Sequence, residues 1–105
     1  PKFPVKHEFS LPNTSKILSM CNRFLYSTLL ETTELLDDGT TYVVTGDIKD
    51  MWLRDSSAQV HPYIEMASEK SPVRHKARRV ISGLIQRQAQ YIRHDPWANA
   101  FSKQK

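Results

Sequence analysis

A chain of 105 residues suits one small domain or part of a larger one. Its composition, 39% hydrophobic and 25% charged, is that of an ordinary globular protein and excludes a low-complexity or disordered class. The net charge of +4 is unevenly spread: residues 1–72 hold seven Lys/Arg against ten Asp/Glu, and residues 73–105 hold eight against Asp95 alone. No apolar run approaches the ~20 residues that cross a membrane, and no secretory leader opens the chain, whose first residue is Pro1 rather than Met.

Pro1, Pro4 and Pro12 make residues 1–13 an extended arm. Asn13 or Thr14 is placed to cap the first helix by accepting from the free amides of its first turn. Ile17, Leu18, Cys21, Phe24, Leu25, Thr28 and Leu29 follow with helical spacing, and the pattern predicts a helix to about Leu36. Cys21 has no second cysteine to pair with, and its place in this stripe reads as a packed core thiol.

Asp37, Asp38 and Gly39 form a turn, and Thr41 to Thr45, rich in β-branched and aromatic residues, forms a short strand or hairpin. A second helix is expected from Leu53, with Asp55 or Ser56 near its cap and a kink or late start at Pro62. Ser71-Pro72 opens a third, with Val73, Ala77, Val80, Ile81, Leu84, Ile85 and Ile92 as its apolar stripe. Most of the basic residues from Arg74 to Arg93 lie off that stripe and read as solvated surface. Pro96 disfavours helical geometry at Asp95, so the third helix should end near His94.

Chemistry concentrates between Thr45 and Gln59, in TGDIKDMWLRDSSAQ. Asp47, Asp50, Asp55 and Arg54 can grip vicinal hydroxyls through charge-assisted hydrogen bonds. Trp52 can cover the apolar face of a sugar ring. The same residues also read as structure, with Asp55 or Ser56 as a helix cap and Arg54 as an ion-pair partner. Arg54 and Asp55 are sequence neighbours, so on a regular helix they should not face each other.

A second segment, Asp95 to Phe101, offers Trp97 and Asn99, or alternatively a plain turn with Asp95 as anchor and Phe101 in the core. The carboxylate spacing does not match a calcium loop. The four histidines lie on separate elements, and the three glycines are too scattered for a phosphate loop.

The stretch from Thr45 to Gln59 closely resembles a motif of glycoside hydrolase family 125, the exo-α-1,6-mannosidases, a family that includes fungal meiotically up-regulated proteins. Tyr91 to Phe101 (YIRHDPWANAF) resembles a second motif of that family, with Trp97 where a tyrosine is common. The resemblance implies a mainly α fold, about the first quarter of an (α/α)6 barrel, with three helices and a short strand or hairpin near 41–45. Residues 1–105 would then be the N-terminal part of one glycoside hydrolase domain.

It further implies a metal-independent inverting enzyme without cofactor, acting on a mannose-containing oligosaccharide. Asp47, Trp52, Arg54, Asp55 and Asn99 would hold the non-reducing mannose. Inversion needs an acid and a base carboxyl roughly 6.5–9.5 Å apart, and both are expected outside this chain, so the piece alone should be inactive without the rest of the barrel. For a eukaryotic chain the resemblance implies the secretory pathway. The alternative is a small helical interaction module whose basic third helix binds an anionic partner. Because no aromatics interleave with those basic residues, a nucleic acid is not the expected partner.

Overall fold

The computed structural model describes residues 14–68 and 70–103. The expected arm at 1–13 and the Asn13 cap lie outside them. The described chain is mainly helical, with α1 (Thr14–Glu31), α2 (Leu53–Val60), α3 (Tyr63–Ser68) and α4 (Arg74–His94). Two antiparallel pairs of short strands complete it: β1 (Thr33–Leu35) with β2 (Thr41–Val43), and β3 (Met51–Trp52) with β4 (Ala100–Phe101).

The first helix stops five residues short of the expected Leu36. The Thr32 and Thr33 hydroxyls donate back to the Thr28 and Leu29 carbonyls, an alternative to continuing the helical ladder. The chain then enters β1, with Thr33 opposite Val43 and Leu35 opposite Thr41. The turn falls where the sequence places it. Gly39 takes φ 86°, which a side chain would resist, and Asp38 Oδ1 accepts from the Thr40 amide at 3.0 Å.

Proline divides the second expected helix in two. His61 donates its amide to Ser57 O at 3.0 Å and closes α2; Pro62 has no amide to extend the ladder, and α3 begins at Tyr63. The third expected helix, α4, starts after Ser71, whose hydroxyl accepts from the Val73 amide, and ends at His94 as read from Pro96.

α4 organises the core. Ala77, Val80, Leu84 and Tyr91 are buried with Leu29, Tyr42, Val43, Met51, Val60, Tyr63 and Phe101. The buried face differs from the expected stripe: Gly83, Arg87 and Tyr91 are inside, whereas Ile85 and Ile92 are exposed. Gly83 permits the close approach of α4 to the β1–β2 hairpin. A Cβ there would lie 2.4 Å from Thr41 Oγ1, 2.8 Å from Thr41 N and 2.9 Å from Gly39 O.

Arg87 corrects the reading of the basic residues as surface. It is only 7% exposed, and it donates to Thr40 Oγ1 and the Tyr91 hydroxyl, both at 2.8 Å, with Asp38 at 3.5 Å. Cys21 is also corrected: it is exposed, not packed. Every residue of α1 from Thr14 to Phe24 is exposed, so the apolar stripe of that half has no covering element among the described residues.

Candidate functional site

The two sequence motifs meet. β3 belongs to the first and β4 to the second, paired with Met51 opposite Phe101 and Trp52 opposite Ala100. One residue further on, the Asn99 carbonyl accepts the Leu53 amide at 3.2 Å. That amide is the first of α2, one of the donors a helix leaves unpaired at its start. The second motif therefore caps the helix of the first through its backbone. The expected Asp55 or Ser56 cap is corrected: Trp52 is the capping residue, and its side chain makes no capping hydrogen bond.

Several buried groups fix this junction. Burial pushes the Tyr42 phenol above its ordinary value of 10.0, so it stays protonated and donates to the Lys49 carbonyl, with Phe101 O at 3.3 Å. The Tyr91 ring stacks on Phe101 with centroids 4.2 Å apart and planes 4° from parallel. The Tyr91 hydroxyl reaches Ser102 O at 3.2 Å. Gln59, which closes the first motif, donates to Thr32 Oγ1 and Val44 O and so ties α2 to the hairpin.

Above this base the polar groups are accessible. Arg54 and Asp55 occupy the first turn of α2, with Arg54 Nε donating to Asp55 Oδ1 at 2.7 Å and side chains 81% and 38% exposed. Neighbouring residues at a helix start do face each other here, contrary to the regular-helix expectation, because Nε lies far enough along the arginine to fold back. Trp52 is half-buried at the end of β3, and the exposed Asn99 accepts the Leu53 amide through its backbone carbonyl. Asp47 is exposed in the loop after Gly46, whose φ is 103°.

The structure thus brings Trp52, Arg54, Asp55 and Asn99 to one junction and leaves Asp47 on the loop leading into it. A guanidinium, a carboxylate and an amide can hydrogen-bond hydroxyls, and an indole can cover a ring face. Asp95 and Phe101 take the structural roles weighed for them, since Asp95 Oδ1 accepts from the Trp97 amide at 3.0 Å and Phe101 is in the core.

The sequence did not show that Gln88 meets this helix start. Its Nε2 lies 3.2 Å from Leu53 O, 3.0 Å from Ser56 Oγ and 2.8 Å from Ser57 Oγ. A glutamine on the polar face of a long helix carries no signal of such a contact. Among the described residues no group of three His, Cys, Asp or Glu is arranged to hold a metal ion, and no helix is long and apolar enough to cross a membrane.

Fold and site together are those of a mainly helical protein with an arginine–aspartate pair at a helix start joined to a second segment by a short strand pair. The sequence model of the metal-independent α-mannosidases of glycoside hydrolase family 125 matches residues 14–105, and the chain belongs to that family. It is 42% identical over 65 residues to the meiotically up-regulated gene 157 protein of Schizosaccharomyces pombe, a match covering 62% of this chain and 12% of that protein.

A metal-independent α-mannosidase of Streptococcus pneumoniae, solved in a non-productive complex with α-1,6-mannobiose, superposes with a TM-score of 0.73 at 40% identity. That match covers 87% of this chain and 20% of the bacterial one. The chain therefore spans a small part of the length of each relative.

Proposed function

We propose that this chain is the N-terminal part of an inverting exo-α-1,6-mannosidase and that its two motifs together hold the non-reducing mannose. The observation that carries this reading is the β3–β4 pairing, which joins the motifs at the start of α2. In the proposed site Arg54, Asp55 and Asn99 take the sugar hydroxyls, Trp52 walls the ring, and Asp47 closes the approach from its loop. Such contacts hold the terminal mannose in ground and transition states alike. The acid that protonates the leaving oxygen and the base that activates water come from outside this chain.

The exposed apolar residues of α1, α3 and α4 supply the surface on which the remaining helices of an (α/α)6 barrel would pack. The rival reading, a basic helix binding an anionic partner, loses two of its groups to internal contacts: Arg87 is buried, and Arg78 Nε donates to Ala67 O at 2.6 Å.

The test is release of mannose from α-1,6-mannobiose by the full-length protein, with residues 1–105 assayed beside it. Mannose released by the full-length protein alone, first in the β configuration by NMR, supports the reading. Folded full-length protein without activity, or an active 1–105 piece, contradicts it.

A further inference from the structure

We infer that Gln88, on α4, is a positioning residue for the sugar contacts of Arg54 and Asp55; this rests on the mannose-binding reading above. Among the described residues, Arg54 and Asp55 are held by the first turn of α2 and by each other, with no side-chain cap on that helix start. The turn is crowded with acceptors. Leu53 O already receives the Ser56 hydroxyl at 3.1 Å and the Ser57 hydroxyl at 2.9 Å.

Both hydroxyls spend their proton on that carbonyl and so turn lone pairs outward. Gln88 Nε2 fits that need: it faces Leu53 O, Ser56 Oγ and Ser57 Oγ, and its two hydrogens serve two of the three at once.

The contact is specific in direction. An amide nitrogen donates to every partner there, whereas a carboxylate of equal length accepts only and faces the Leu53 carbonyl with like polarity. Gln88 also stands one residue from Arg87 and three from Tyr91, the side chains that lock α4 to the hairpin and to Ser102. The first turn of α2 is thereby referenced to α4, which has the most buried residues of the described helices. Removal of the amide leaves the fold's core intact and lets Arg54 and Asp55 shift together.

The experiment uses the full-length enzyme with α-1,6-mannobiose and compares wild type with Gln88→Met, a change of similar length without donors. A shifted Arg54–Asp55 pair loosens its grip on the mannose in ground and transition states alike. KM is expected to rise roughly tenfold, the scale of one misplaced charged contact, with kcat within about twofold. A merely structural role would instead lower kcat in proportion to folded enzyme, with KM unchanged, and that result overturns the proposal.

So does a variant with wild-type constants. If Gln88→Met does not fold, Gln88→Glu is read in the same way. Inactive wild type would remove the mannosidase reading itself, whereas active wild type with an unchanged variant KM removes only the role of Gln88.

Discussion

At the scale of single residues, the pair Arg54–Asp55 carries the proposed sugar contacts. Its ion pair is exposed and contributes little to stability. Replacing either residue with Ala in the full-length enzyme should therefore leave the melting temperature nearly unchanged. kcat/KM should fall about ten- to a hundredfold, the scale of one charged hydrogen bond to substrate; unaltered kcat/KM would remove the residue from the site.

Asp38 is a different kind of residue. The Thr40 hydroxyl and amide, then Arg87, hold its carboxyl below the ordinary 3.8. A carboxyl whose pKa is lower folded than unfolded contributes stability above the unfolded value and loses it as pH falls through the folded one. Thermal melts of wild type should accordingly drop below about pH 4 more steeply than those of Asp38→Asn. Parallel curves would deny the linkage.

At the scale of elements, Gly83 decides how closely α4 meets the hairpin. Gly83→Ala should cost about 1–3 kcal/mol, read as a lower denaturant midpoint, because two of its three close neighbours are backbone atoms that cannot swing away. An unchanged midpoint would mean that the packing is looser than its geometry.

Elements punctuated by local chemistry were legible in the sequence: the Gly39 turn, the break at Pro62 and the end of α4 before Pro96 all fall where expected. The end of α1 was not, since Thr32 and Thr33 fit a helical pattern until their hydroxyls meet the carbonyls behind them. Nor were β3 and β4, two residues each, because their partners lie 48 and 50 positions apart and no local period marks them. The burial of Arg87 was hidden for a related reason: its partners on the hairpin become visible only once α4 is laid across it.

At the scale of the molecule, the unsatisfied surface is the instructive feature. Ile17, Leu18, Met20 and Phe24 of α1, with Ile64, Ile85 and Ile92, expose large apolar side chains. A shallow groove of about 410 Å³ between α3 and α4, lined by Ala67, Ile81 and Ile85, adds to them. Faces of this kind mark contact with further protein. In the proposed barrel they are covered, and Cys21 on α1 reports it: a maleimide should label Cys21 readily in residues 1–105 and slowly in the folded full-length protein. Equal rates would leave α1 uncovered.

The sequence motifs pointed to the sugar chemistry, but only the fold shows that they share one helix start. The most direct test of that union is a double-mutant cycle between Asp55→Ala and Asn99→Ala, reading kcat/KM of the full-length enzyme on α-1,6-mannobiose as a free energy. Both single changes should lower kcat/KM, and the double should depart from their sum by roughly 1 kcal/mol, since both residues hold one ligand. Effects that add within experimental error, or an Asn99→Ala enzyme with wild-type kcat/KM, would contradict a site built from both motifs.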